Sequence, residues 1–129
     1  MPTQRSIAGD LYQTILQPEH YTRRMPDPVQ LVLVSCPPDK AQEIASTLVT
    51  MRLAACVNVI PRIHSTYRWE GKVQQDDESL LIIKTTTDCF DALKQMVLQL
   101  HPYELPEVIA VNLSEGHAPY LDWIAASTQ

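Results

Sequence analysis

The stretch CVNVIPRIHSTYRWEGKVQQDDESLLIIKTT, residues 56–86, decides the fold. It reads as one long β-hairpin. Val57, Val59, Ile60, Ile63, Thr66, Tyr67 and Trp69 give the first arm the β-branched and aromatic character of a strand. Glu70-Gly71 is the place for a tight turn, because Gly71 can take the positive φ that hairpin turns need. The second arm returns through Lys72 and Val73, is expected to loosen over the polar residues 74–78, and then runs Leu80-Leu81-Ile82-Ile83. Apolar side chains on consecutive positions call for burial on both faces of a sheet. Pro61 has no N–H for the ladder, so the first arm must bend, bulge or lie at an edge there. An arm this long outgrows its own small domain and is expected to reach a neighbouring subunit.

Upstream, Leu31-Val32-Leu33-Val34 is an apolar strand stopped by Ser35-Cys36-Pro37-Pro38. Asp39 suits an N-cap, and Ala41, Ile44, Ala45, Leu48 and Met51 make a helical stripe to about Leu53. Downstream, Thr87 or Asp88 is expected to cap a second helix whose inner face carries Phe90, Leu93, Met96, Val97 and Leu100. Residues 101–106 form a loop held open by Pro102 and Pro106. Val108-Ile109-Ala110-Val111 is the fourth strand, and Pro119 opens a short terminal helix that packs through Leu121, Trp123 and Ile124. Residues 1–28 read as an extension, flexible or briefly helical through Ile7, Leu11, Tyr12 and Ile15. The domain proper spans 29–129.

The order is β-α-β-β-α-β plus a helix, the ferredoxin-like α+β arrangement with both main helices on one face of an antiparallel sheet. Strands apolar on both faces then leave the second face as a patch of several hundred Å², uncommon on a monomer. The extension and terminal helix offer a cover, but the overlong hairpin favours an oligomer.

Composition narrows the function classes. A chain of 129 residues with a formal charge of −5 holds one domain and does not suit a nucleic-acid or anionic-membrane partner. Three cysteines without a C-x-x-C pair fit a reducing, cytoplasmic setting better than a disulfide framework. No segment approaches a membrane span, and Asp10, Gln13 and Gln17 interrupt any secretory pattern.

The segments LAACVNVIPRIHSTYRWEGKV (53–73), KTT (84–86), HPYELPEVIAV (101–111) and YLDWI (120–124) together resemble the CutA divalent-cation-tolerance family, over about residues 31–127. The resemblance implies a ferredoxin-like subunit in a compact homotrimer, with hairpins pairing between neighbours as in the PII signalling proteins. It also implies a soluble protein tied to tolerance of copper and other divalent ions, and no defined enzymatic activity. For copper it implies a cysteine ending the first strand and a His-His pair before Pro-Tyr. This chain has Ser35-Cys36, with the thiol one position later, and Leu100-His101, with one imidazole.

Two constellations follow. Cys36 and His101 are candidate metal ligands, since thiolate and imidazole both suit copper. The structural alternatives are a small buried hydrophobe for Cys36 and a helix-capping ring for His101. Tyr67, Trp69, Glu70, Lys84, Tyr103, Glu104 and Glu107 are candidates for an inter-subunit cleft that holds a metal through carboxylates or a small molecule. The alternative there is a set of interface anchors with a structural Lys84–Glu107 ion pair. Asp76-Asp77-Glu78 reads as a solvated loop or a weak surface ion site.

Three function classes compete: a copper or divalent-ion tolerance protein, a PII-like signalling or scaffold trimer with a small-molecule or protein partner, and a cysteine enzyme. The last ranks lowest, because Cys36-Pro37-Pro38 offers no following N–H for an oxyanion hole and no base stands nearby. No organic cofactor and no catalytic residue is expected.

Overall fold

The computed structural model describes residues 28–129. The extension expected over 1–28 therefore lies, Pro28 apart, outside the described residues. The order is β1 (Val29–Cys36), α1 (Ala41–Thr50), β2 (Cys56–Trp69), β3 (Lys72–Thr86), α2 (Phe90–Leu100), β4 (Ile109–Asn112) and α3 (Ala118–Ser127), with 3-10 turns at Pro38–Lys40 and Thr87–Cys89. The four strands form one antiparallel sheet ordered β2-β3-β1-β4. This is the expected ferredoxin-like arrangement. Among the described residues no helix is long and apolar enough to cross a membrane.

The hairpin closes at Glu70-Gly71, where φ is 51° and 77°. Two central residues with positive φ are what a type I′ turn requires. The loosening expected over residues 74–78 does not occur. β3 is continuous, and Gln74, Gln75, Asp76 and Asp77 all pair with β2. Those residues are polar because this part of β3 pairs with β2 alone, not because the strand breaks; β1 pairs only with Ser79–Thr86 of β3.

Helix starts also depart from expectation. Neither Asp39 nor Thr87 nor Asp88 caps through its side chain, because a 3-10 turn precedes each helix and takes these residues into itself. α1 stops at Thr50 rather than near Leu53. Arg52, at φ 61°, donates its N–H to the Val49 carbonyl (3.0 Å) while the Leu53 N–H reaches the Leu48 carbonyl (2.9 Å). This is a Schellman ending with an arginine where glycine is usual. Its guanidinium bonds the Ala126 carbonyl at 2.8 Å, tying α1 to the end of α3.

Strand alternation sorts the sheet into two faces. Val32, Val34, Cys36, Leu81 and Ile83 point to the helices and pack with Ile44, Leu48, Leu93 and Val97 in the main core. Leu31, Leu33, Leu80 and Ile82 point the other way and are half-buried, while Ile60, Ile109 and Val111 on that face are exposed. α3 touches β3 and β1, with the Lys84 ammonium 5.7 Å from the Tyr120 ring. It covers one end of the second face and leaves an apolar band open.

At Pro61 the register shifts by one residue: Ile60 faces Leu80, but Ile63 faces Glu78. The bulge changes which β2 residues share a face. Before it, Cys56, Asn58 and Ile60 lie on the second face. After it, Ile63, Ser65, Tyr67 and Trp69 do. Ser79 fixes the kink by donating its hydroxyl to the Pro61 carbonyl at 2.7 Å.

Candidate functional site

The bulge sets the aromatic residues of β2 opposite acidic residues of β3. Ser65 pairs with Asp76 and Ile63 with Glu78, so Asp76 and Glu78 emerge on the same face as Tyr67 and Trp69. Asp77 emerges on the other face, where it accepts from Arg62 (2.6 Å) and His64 (2.5 Å). The His64 bond first, and then Arg62, hold the Asp77 carboxyl below the usual range.

The loop after α2 forms the facing wall. A cleft of about 590 Å³ opens between residues 65–69 with Asp76 and Glu78 on one side, and Tyr103, Glu104, Leu105 and Glu107 on the other, with Ser35 between them. Tyr67, Trp69, Tyr103, Glu104 and Glu107 line this cleft within one chain, whereas the sequence leads to a cleft between subunits. Glu70 sits in the turn, away from the lining. Lys84 faces Leu31 on β1, four rows from Ser35, roughly 13 Å along the strand. Glu107 instead takes a long hydrogen bond from Ser35 (3.4 Å). No Lys84–Glu107 pair forms within one chain.

The sequence offers no sign of Ser35 as a site residue, and it places Asp76 and Glu78 in a solvated loop or a weak surface ion site rather than in this cleft. The available signal is period two: Glu78 is an acid in the series 78, 80, 82, 84 of a strand face whose other members are half-buried. Glu78 is only 6 % exposed and accepts from the Tyr103 hydroxyl at 2.8 Å. Tyr67 donates to Asp76. Burial, and then the bond to Glu78, drive the Tyr103 phenol well above its ordinary value, and the Asp76 bond raises Tyr67. Both phenols keep their protons.

His101 holds the loop in place. Its Nε2 lies 2.7 Å from the Ser35 carbonyl, so that nitrogen carries the proton; Nδ1 accepts the Tyr103 N–H at 3.2 Å. The ring is neutral, 7 % exposed, and packs 4.6 Å from the Tyr103 ring. Both nitrogens are engaged, and neither presents a lone pair outward. Cys36, one residue beyond Ser35, points to the helix side and is fully buried. Burial, with Glu78 and Asp39 adding to it, pushes its thiol from 9.0 to about 11. As folded, the two residues do not form a copper-ready thiolate–imidazole pair. Among the described residues, no three of His, Cys, Asp and Glu converge so as to hold a metal ion.

The thiol gives an alkaline signature. A group that holds its proton more tightly when folded stabilises the fold fully below its unfolded value near 9, and that contribution is lost as pH rises through about 11. Between those values the wild type is expected to lose more stability in urea than Cys36→Ala. Parallel pH profiles would show the thiol free in the fold.

A family model described as CutA1 divalent ion tolerance protein matches residues 30–127. The "Divalent-cation tolerance protein CutA" of Thermus thermophilus is 48 % identical over 100 residues, covering 77 % of this chain and 97 % of that protein. "Protein CutA" of Mus musculus is 46 % identical over 106 residues, covering 81 % of this chain; the chain spans 60 % of that longer protein. The solved structure of the Thermus thermophilus protein superposes with a TM-score of 0.77 at 47 % identity, covering 78 % of this chain and 99 % of that one. The "PII-like protein CutA" of Nostoc, in apo form, superposes with a TM-score of 0.74 at 34 % identity, covering 78 % and 97 %.

Proposed function

The chain belongs to the CutA1 divalent ion tolerance family, and on that premise we propose that it is a cytoplasmic, non-enzymatic homotrimer serving copper and divalent-ion tolerance by binding a positively charged ligand in its acidic cleft. The carrying observation is Glu78, a carboxylate more than nine-tenths buried at a cleft that also presents Asp76, Glu104 and Glu107, with Arg68 as the cationic residue among those of the lining. Buried charges are stable when paired, so an acidic site of this kind favours a cation.

Association into a homotrimer is supported by the open band at Ile60, Ile109 and Val111 and by a hairpin that outruns the sheet. In such an assembly a neighbour's Lys84 and Tyr120 are available to line the cleft, in keeping with a PII-like organisation of sites between subunits. A cytoplasmic setting accords with three cysteines that are all free.

Titrating Cu(II) and Zn(II) by calorimetry into metal-free protein, with sedimentation on the same sample, tests this. Three chains per particle and saturable copper heat that falls at least tenfold in affinity in Glu78→Gln are expected. Loss in Cys36→Ala, with Glu78→Gln unaffected, would move copper to the end of β1. A monomer without saturable binding of any cation would end the proposal.

A further inference from the structure

We infer that position 35 sets the metal specificity of the cleft: as serine it makes the cleft an oxygen-donor site that passes over soft ions, Cu(I) and Cd(II), and a thiol at that position would admit them. The inference rests on the reading of the cleft as a cation site and names the ions it refuses. It leaves Cys36 without a metal role.

The last two residues of β1 differ by oxygen against sulfur and face opposite ways. Ser35 stands opposite Leu80 on the second face, lines the cleft, and donates its hydroxyl to Glu107 at 3.4 Å. Cys36 stands opposite Ser79, is fully buried, and belongs to the core beneath the helices with Val32, Val34 and Leu81. No local adjustment exchanges the two. β1 is held by β3 along its whole length and by β4 on its other edge. Turning the thiol to the cleft means slipping the strand by one residue, which would carry Val32 and Val34 out of the core as well.

Other soft ligands are also withheld. Both ring nitrogens of His101 are taken by backbone groups, and Leu100, where the resemblance implies a second imidazole, packs against the main core. His64 lies on the opposite face of the ribbon against Asp77. Cys89 stands past the far end of β3. Within one chain Cys56 pairs with Lys84, four rows along the sheet from Ser35. The residues a neighbouring subunit has available for the cleft, Lys84 and Tyr120, bring an ammonium and a phenol, and neither is a soft ligand. Cys56 is the one thiol that travels with Lys84, so it enters the test.

What the cleft offers is oxygen, from Asp76, Glu78, Glu104 and Glu107 and from the hydroxyls beside them. Carboxylate oxygen suits hard and borderline divalent ions, Cu(II) among them, whereas thiolate and thioether select Cu(I). One side-chain atom at position 35 therefore divides the two classes.

The test titrates Cu(I) under argon, and Cd(II), into the full-length wild type, Ser35→Cys, Cys36→Ala and Cys56→Ser, following thiolate-to-metal charge-transfer absorption. Cu(II) calorimetry runs on the same samples. No saturable band is expected in the wild type, Cys36→Ala or Cys56→Ser. A saturable band is expected in Ser35→Cys, with Cd(II) held roughly tenfold more tightly than by the wild type. Cysteine nearly matches serine in shape, so this variant keeps the fold, and the wild-type arm tests the inference without any substitution. A band in the wild type that disappears in Cys36→Ala, or in Cys56→Ser, would overturn the inference. So would a folded Ser35→Cys that shows none. Cu(II) heat indifferent to Glu78→Gln, with the Ser35→Cys band present, would end the Glu78 reading and support the assignment of position 35.

Discussion

Replacing Leu81 by alanine is expected to lower the unfolding free energy by about 3–4 kcal/mol, the largest single-site loss among the strand positions. Leu81 is fully buried on β3, between Val34 of β1 and Val59 of β2 in the register, and belongs to the cluster with Ile44, Leu48 and Leu93. Flanked on both sides and roofed by helices, the site cannot collapse around the deletion, so a cavity term adds to the lost transfer energy. Urea unfolding at one fixed protein concentration measures it, since association would otherwise enter the result. A loss below about 1 kcal/mol would mean that the sheet and helices are less closely packed than described. Ile82→Ala, on the second face, is the informative partner: if subunits cover that face, its effect grows as association is favoured.

His101→Ala is expected to destabilise by about 3 kcal/mol and to loosen the cleft as well. The substitution strands the Ser35 carbonyl and the Tyr103 N–H, which now meet Nε2 and Nδ1 at 2.7 and 3.2 Å. It also frees Tyr103, the donor to Glu78. His101→Gln keeps one donor and one acceptor on a side chain of similar reach and is expected to recover about half of the stability. An amide is a poor copper ligand, so the Gln variant separates the two roles. Stability regained together with cleft binding marks a positioning residue. Stability regained while copper affinity stays lost would mark a ligand.

The residues that made the fold legible are the ones whose chemistry leaves few choices. Gly71 permits the turn, Leu80 to Ile83 demand two covered faces, and Pro61 forces an irregularity that the register displays between Ile60 and Ile63. Reading failed where polarity had two causes. Residues 74–78 resemble a loop because they are polar, and the exposed residues 74–77 of a two-stranded ribbon are polar too. The helix starts were misplaced because proline and acid before a helix serve a 3-10 turn as well as a cap.

In the cleft, Tyr67, Trp69, Tyr103, Glu104 and Glu107 could be grouped from their types and neighbourhoods. Asp76 and Glu78 could not, since their face depends on parity carried across a bulge. The same parity puts Ser35 in the cleft and Cys36 in the core, one residue apart. No composition argument distinguishes them. The tautomer of His101 is likewise a property of two backbone partners, 66 residues away in one case.

One further consequence lies in the part of the hairpin beyond the sheet. β1 pairs with β3 only from Ser79 onward, so Lys72 to Glu78 and Ile63 to Trp69 project as a ribbon of two strands, roughly 23 Å long. It is a cantilever clamped at Ser79. Two strands without a third resist twisting and bending weakly. A 10° flexure at the clamp would carry the tip roughly 4 Å, from the same strand dimensions. Tyr67 and Asp76 ride on the beam while Tyr103 and Glu107 stand on the anchored body. The width of the cleft thus follows any bending of the ribbon, and whatever fills the cleft stiffens the beam.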